Sequence, residues 1–210
     1  DASITEAVST LDAAITPDGT KAYVANNFAG NVSVIRLGVD TQFTTKIAIT
    51  APRGVTVAPN PSGNIVYFSS GLPQNRLLIR DTANIAINDL KAGASPRYMV
   101  ATATDVWITD SGYSATQGQI LRYSRSSGTI VDSIPVGGTP YGIALTGTKL
   151  YVSNRDGNSV SVISISGTPT VTKTIAGFNK PWGVAVTANG TVYVANSGNN
   201  TVSVITTSTD

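Results

Sequence analysis

Five residues of this chain could form a ligand-binding ring if the fold brings them together. Pro52, Pro96, Pro140 and Pro181 recur 41 to 44 residues apart, and each opens a short apolar run: PRGVTV, PRYMVA, PYGIAL and PWGVAV. The residues that follow them are Arg53, Arg97, Tyr141 and Trp182, and Leu11 holds the same place in TLDAAIT. A guanidinium fork matches a carboxylate or a phosphate, and a flat aromatic ring stacks on a sugar face or a cation. The chemistry is therefore recognition of an anion or a glycan. The competing reading is that these side chains plug a narrow channel and pack between repeats. Two arginines weigh against it, because an unpaired buried guanidinium is costly. Asp12, beside Leu11, could neutralise one of them.

A second set lies in the polar segments between apolar runs: Asn26–Phe28, Ser70–Gln74, Asp110–Gln117, Asn154–Asp156 and Asn196–Asn200. Asn26, Asn154 and Asn196 are read as structural, because asparagine tolerates left-handed backbone and bonds its own turn. Phe28, Tyr113 and Arg155 are the better candidates for contact with a ligand or partner. The longest segment, Asp110–Gln117, is read as a loop with Tyr113 at its tip. Asp110 and Asp156 are a carboxylate pair that could share one face, as acid–base work would need, and turn capping is the simpler role for both. The segment NRDGNS lacks the spaced carboxylates and final Glu of a calcium loop. Three sequons, at Asn31, Asn189 and Asn199, are glycosylation candidates, with Asn189 and Asn199 expected at turns.

Most catalytic chemistry is absent from the composition. The 210 residues contain no His and no Cys, and a single Glu, Glu6. That removes imidazole bases, thiolate nucleophiles, and His- or Cys-ligated metals. No cofactor or metal site is expected. Charged residues are 12% of the chain, about half the usual share of roughly 25%. A net charge of +2 with scattered basic residues does not suit nucleic-acid binding. No apolar run approaches the roughly 18 residues of a membrane span, so no membrane insertion is expected. Position 1 is Asp rather than Met, as expected of a processed or trimmed form.

The elements that must position these residues come from an internal repeat. TVYVANSGNNTVSVI (191–205), KLYVSNRDGNSVSVI (149–163) and KAYVANNFAGNVSVI (21–35) are plain copies; IVYFSSGLPQNRLLI (65–79) and DVWITDSGYSATQGQILRY (105–123) are weaker ones. Their aromatic markers, Tyr23, Tyr67, Trp107, Tyr151 and Tyr193, stand 40 to 44 residues apart. Each unit alternates apolar and polar residues between Gly, Asn, Asp and Ser, the pattern of short strands. A unit of this size with four strands is a propeller blade. The expected fold is all-β: a single five-bladed β-propeller with four antiparallel strands per blade, the blades spanning about 10–50, 51–94, 95–138, 139–179, and 180–210 plus 1–9. The last blade lacks an outer strand, and SITEAVST at 3–10 is a surplus one. That N-terminal strand is expected to close the last blade, either in its own molecule or, by strand addition, in a neighbour.

YVANN…VSVI, YVSNRDGNSVSVI and YVANSGNNTVSVI, with PYGIAL and PWGVAV before them, resemble the YVTN β-propeller repeat family over essentially the whole chain. Ser69 and Asp110 are read at the position of the family's Asn, and Tyr98 takes the position of Gly54, Gly142 and Gly183. The resemblance implies a bacterial or archaeal surface-layer or secreted protein, usually with a larger ring than five. Streptogramin-type lyases use a His this chain lacks, and five-bladed glycosidases use funnel carboxylates, whereas Glu6 falls on an outer strand.

The expected function is a secreted or cell-surface, non-enzymatic interaction or structural module in a cell-envelope or extracellular assembly, with protein partners or self-association. The alternative is a lectin-like propeller that binds a glycan or small anion at the central funnel. A lyase or glycoside hydrolase ranks last.

Overall fold

Runs such as KAYVAN, NVSVIR and TVSVI place β-branched or aromatic residues at every second position, which favours a pleated strand with two different faces. A computed structural model describes residues 9–38, 44–114 and 117–206, and every regular element among them is a strand. The first sheet contains β1 (Thr10–Ile15), β2 (Lys21–Asn26), β3 (Asn31–Arg36) and β4 (Thr44–Ala48). The second contains β5 (Pro52–Ala58), β6 (Ile65–Ser70), β7 (Arg76–Asp81) and β8 (Ala86–Lys91). The third contains β9 (Pro96–Ala101), β10 (Asp105–Ser114), β11 (Gln117–Ser124) and β12 (Thr129–Val136). The fourth contains β13 (Pro140–Thr146), β14 (Lys149–Asn154), β15 (Ser159–Ser164) and β16 (Thr170–Ala176). The fifth contains β17 (Pro181–Val186), β18 (Val192–Asn196) and β19 (Thr201–Ile205).

In each sheet the strands are joined in sequence order, so every blade is a meander. The fold is all-β, a five-bladed β-propeller, as the repeat predicts. Among the described residues the fifth blade has three strands. Its expected closing strand falls mainly on residues 1–8, which lie outside the described residues. One expectation is corrected here. Asp110–Gln117 is not a long loop: β10 runs through Ser114 and β11 begins at Gln117. Tyr113 thus sits in a strand.

The chain divides into two compact units, residues 1–106 with 124–129, and residues 107–123 with 130–210. In the first, Tyr23, Val32 and Val34 of blade 1 pack with Val55, Val66, Phe68 and Leu78 of blade 2. The Tyr23 and Phe68 rings lie 5.9 Å apart. In the second, Tyr151, Val160 and Val162 of blade 4 pack with Val192, Val194 and Ile205 of blade 5. The same three positions of one blade therefore meet the same strands of the next. Middle strands such as β14 and β15 are buried almost throughout, and outer strands such as β8 and β16 are mostly exposed.

A backbone hook recurs where four of the five inner strands begin. Ser9, Ala51, Thr139 and Lys180, each one residue before β1, β5, β13 or β17, have φ between 46° and 57°. Their carbonyls accept hydrogen bonds from the N–H of Asn27, Gly71, Arg155 and Ser197, the residues that follow each second strand. The hook ties the two ends of the first hairpin together, and left-handed backbone at a non-glycine residue is the strain it carries. Thr139 is β-branched and so the most strained. Thr139→Gly is expected to raise stability by about 1 kcal/mol, since relief of roughly 1–3 kcal/mol of strain exceeds glycine's unfolded-state entropy. The urea midpoint measures it, and an unchanged or lower midpoint would refute the strain.

Candidate binding site

The residue after each inner-strand proline is placed by a β-bulge. The register of β13 on β14 pairs Pro140 with Asn154 and then slips before Ile143 pairs with Val152. The same slip occurs between Pro52 and Val55 and between Pro181 and Val184. A bulge kinks the strand and re-aims a side chain. Arg53, Tyr141 and Trp182 all sit in one.

In the second unit the bulges bring three predicted residues together. The Tyr141 and Trp182 rings lie 4.3 Å apart with a 49° tilt. Arg155, in the turn after β14, sets its guanidinium carbon 5.8 Å from the Tyr141 ring centre and 5.5 Å from that of Trp182. Its Nη1 donates to Asp156 Oδ1 at 2.9 Å, while its buried Nε has no partner. Both side chains of that ion pair are 30% exposed. The result is a half-buried, cationic–aromatic surface whose guanidinium is oriented before any ligand arrives.

A serine the sequence reading passed over fixes the two bulges. Ser153 Oγ accepts from Gly142 N at 2.8 Å and donates to the Trp182 carbonyl at 2.6 Å. Gly142 is required here, because a Cβ would collide with that same carbonyl. The first unit repeats the device: Ser69 Oγ accepts from Gly54 N at 2.8 Å and donates to the Arg97 carbonyl, and a Cβ on Gly54 would strike the latter. The signal was present in YVSN and YFSS, where a serine precedes the last residue of the second strand.

This register corrects one assignment. Pro52 pairs with Ser70 just as Pro140 pairs with Asn154 and Pro181 with Asn196. Ser70, not Ser69, therefore occupies the Asn position, and Ser69 is the equivalent of Ser153. Asn26, Asn154 and Asn196 are structural as expected, but by another mechanism. Each buried amide donates to two side chains of the next strand: Asn31 and Ser33, Ser159 and Ser161, Thr201 and Ser203, at 2.8–3.1 Å. The left-handed residues of these turns are Gly30, Asn75, Asn158 and Asn200.

The other predicted residues are placed as follows. Arg53 Nη1 donates to Ser95 Oγ at 2.7 Å, and its guanidinium lies against Gly71. Arg97 is half-buried, with its carbonyl held by Ser69. Phe28 is 82% exposed in the turn after β2. The Tyr113 side chain lies outside the described residues. Asp110 is buried and accepts from Gln119 Nε2 at 2.8 Å. Of the sequons, Asn189 and Asn199 are exposed turn residues, whereas Asn31 opens β3 with its amide bonded to Asn26 and Ala29.

Asp12 holds the bulge position taken by Gly54 and Gly142 in their blades. Its Oδ2 accepts from Val55 N at 2.9 Å and its Oδ1 from Ala13 N at 3.0 Å. Burial pushes its carboxyl up from 3.8 to about 6, against the lowering effect of those two N–H groups. A raised pKa means that the folded state binds the proton more tightly than the unfolded chain. Stability from this group is thus full below about pH 4 and lost as pH rises through 6.

The comparisons agree with this architecture. The NHL repeat family model matches residues 178–205, the stretch that carries β17–β19. No curated protein matches the chain significantly. Among solved structures, a functionally unknown protein from Desulfotomaculum acetoxidans aligns over 97% of this chain and 71% of its own, at 19% identity and a TM-score of 0.75. Virginiamycin B lyase from Staphylococcus aureus aligns over the same shares, at 17% identity and a TM-score of 0.75. Hydrazine synthase from Kuenenia stuttgartiensis aligns over 97% of this chain and 85% of its own, at 16% identity and a TM-score of 0.64. At these identities the likeness is one of fold. The chain folds as a β-propeller, and its residues 178–205 are similar to an NHL repeat.

Ser153→Ala strips two backbone groups of their partner and is expected to destabilise the second unit by about 1–3 kcal/mol. Gly142→Ala is expected to be worse, since backbone must move. Equal urea midpoints for wild type and Ser153→Ala would sink the clip. Asp12→Asn is expected to flatten the fall in stability between pH 4 and 6, while its amide oxygen still accepts from Val55. Paired urea titrations at pH 4 and 7 measure it, and an unchanged difference would mean that Asp12 is not the titrating group.

Proposed function

We propose that this chain is a non-enzymatic interaction module that works outside the cell or on its surface, with protein partners in a cell-envelope or extracellular assembly. The observation that supports this reading is the Tyr141–Trp182–Arg155 surface. Rigid aromatics and arginine are the residues that binding hot spots favour, because they bring large contact area at little entropic cost. The two carboxylates that could have served catalysis are engaged otherwise. Asp110 is buried and hydrogen-bonded to Gln119, and Asp156 holds Arg155.

Trp182→Ala and Arg155→Ala are expected to keep the strand signal in circular dichroism. They are expected to reduce chemical crosslinking to partners on intact producing cells by about tenfold or more. Membrane-impermeant biotin is expected to label the wild type on the same cells. A chain shielded from that reagent, or crosslinks indifferent to both substitutions, would remove the reading.

One observation favours a second reading, a glycan or small anion as the ligand. Arg155 sets a partly exposed guanidinium beside two paired rings, a combination that suits an acidic sugar. Trp182 is half-buried and Trp107 fully so, so a ligand at this surface would change chiefly Trp182 emission. A flat fluorescence response to acidic and neutral glycans would eliminate that ligand class.

A further inference from the structure

The junction of blades 1 and 2 holds a cavity where the next junction holds a side chain. Arg125, in the turn between β11 and β12, reaches back over blade 2. Its Nε donates to the Tyr67 hydroxyl at 3.1 Å and its Nη2 to the Pro59 carbonyl at 2.8 Å. Its Nη1 donates to the carbonyls of Thr102 and Ala103 in its own blade. The corresponding turn of blade 2, between β7 and β8, offers Thr82, Ala83 and Asn84 instead. These short side chains leave a cavity of about 210 Å³ against Lys21, Val34, Arg36 and Thr45 of blade 1. Tyr23, the counterpart of Tyr67, keeps a buried hydroxyl with no partner.

The register fixes the chemistry of that cavity. Lys21 pairs with Arg36, Tyr23 with Val34, and Val34 with Thr45. Side chains two residues apart along a strand share a face, so Lys21, Tyr23, Arg36 and Thr45 all stand on the face of blade 1 that turns to blade 2. Two cations directly opposite one another are destabilising, and an anion between them removes the repulsion. At the same rung blade 2 pairs Ile65 with Asp81 and blade 4 pairs Lys149 with Ser164. Lys21 gives one of the three donors of its ammonium to the Thr82 carbonyl across the junction. Asn84 keeps a buried amide oxygen with no partner. Burial, helped by the charges of Asp81 and Asp18, pushes the Tyr23 hydroxyl up to about 12, so it stays a donor at neutral pH. Those two carboxylates serve their own turns: Asp81 Oδ1 accepts from Ala83 N and Ile85 N, and Asp18 Oδ1 from Thr20 N, at 2.8–3.0 Å.

We propose that this cavity binds an acidic monosaccharide, with Lys21 and Arg36 on its anionic group and the Asn84 amide oxygen on one of its hydroxyls. Each contact follows from one observation. The paired cations call for an anion and disfavour a cation of the Arg125 kind. A buried amide oxygen without a partner calls for a donor, which a bare anion such as sulfate lacks and a sugar hydroxyl supplies. The volume lies below the roughly 300–1,000 Å³ of pockets that take drug-sized ligands, and it suits one sugar ring rather than an oligosaccharide. All of these residues belong to the first compact unit, and none belongs to the Tyr141–Trp182–Arg155 surface, so the two sites stand or fall separately.

A titration of the full chain with glucuronate, followed by the NMR signals of the Asn84 side-chain amide and the Arg36 Nε–H group, tests it at this site alone. Glucuronate is expected to shift both signals saturably. Glucose, which lacks the charge, and sulfate, which lacks the hydroxyls, are each expected to bind about tenfold more weakly or worse. Arg36→Ala removes an exposed guanidinium. Asn84→Gly removes the amide and keeps the left-handed backbone that Asn84 adopts at a φ of 68°. Each variant, read at the signal it retains, is expected to weaken glucuronate binding about tenfold. Lys91→Ala removes an exposed lysine at the end of β8 and is expected to bind as the wild type does. Circular dichroism establishes that the variants are folded. The proposal is overturned by the absence of a saturable shift with glucuronate, or by glucose or sulfate binding as tightly. A folded Arg36→Ala or Asn84→Gly variant with wild-type affinity overturns it too, as does an equal loss in Lys91→Ala, which would reduce the effect to net charge.

Discussion

Where blade 2 meets blade 3 and blade 4 meets blade 5, two backbones come close at the bulge, and much of the structure follows from that approach. The carbonyl of Trp182 lies where a Cβ on Gly142 would be, and the carbonyl of Arg97 where a Cβ on Gly54 would be. Two backbones so close must not leave buried donors and acceptors unpaired. Ser153 and Ser69 resolve this by taking an N–H from one strand and giving a hydroxyl to the carbonyl of the next. Non-directional packing of Tyr151, Val160 and Val162 against Val192 and Val194 supplies most of the driving force, but it would tolerate sliding. The serine clip sets the offset.

That offset also determines what the surface residues can do. The bulge turns Tyr141 and Trp182 out of the ladder, and the clip fixes the Trp182 backbone relative to Gly142. The hook from Thr139 holds Arg155 by its N–H, so the guanidinium starts from a fixed backbone point. Asp156 then orients its Nη1. Aromatic pairing and cation–π contacts contribute about 0.5–1.5 kcal/mol each, too little to create such a cluster without a rigid frame. The cluster is a product of the frame, and its preorganisation is what would make it useful in binding.

Blade count and strand positions were legible in the sequence because they rest on periodicity. TVTKTIA was read as an outer strand at 170–176, and β16 occupies those residues. The bulged residues were legible as a set because their prolines mark them. What was not legible depends on register. Whether Ser69 or Ser70 takes the Asn position is a one-residue question, and a one-residue slip in a strand reverses the face on which a side chain lies. The segment around Tyr113 failed for a related reason: Gly, Ser, Thr and Gln read as loop, yet neighbouring strands can extend a hairpin through such residues. The asparagines show a subtler limit. Their type suggested turn chemistry, and they do serve structure, but as buried donors to the following strand.

Repetition explains why every blade carries two faces suited to packing. A blade is one sheet with two working faces, and an internal blade satisfies both through its neighbours. Copying the repeat copies both faces, including Tyr193, Val202 and Val204, the counterparts of Tyr151, Val160 and Val162. Ser203 and Ile205, on the opposite face of β19, are sheltered, and Ile205 belongs to the cluster that joins blades 4 and 5. β19 therefore alternates from Thr201 to Val204, with Val202 and Val204 on one face and Thr201 and Ser203 on the other, beside Ile205. A solvent-facing strand under no other constraint alternates apolar with polar residues. The face that takes the apolar residues of this alternation is the one that the same positions of blades 1 and 4 bury against the next blade.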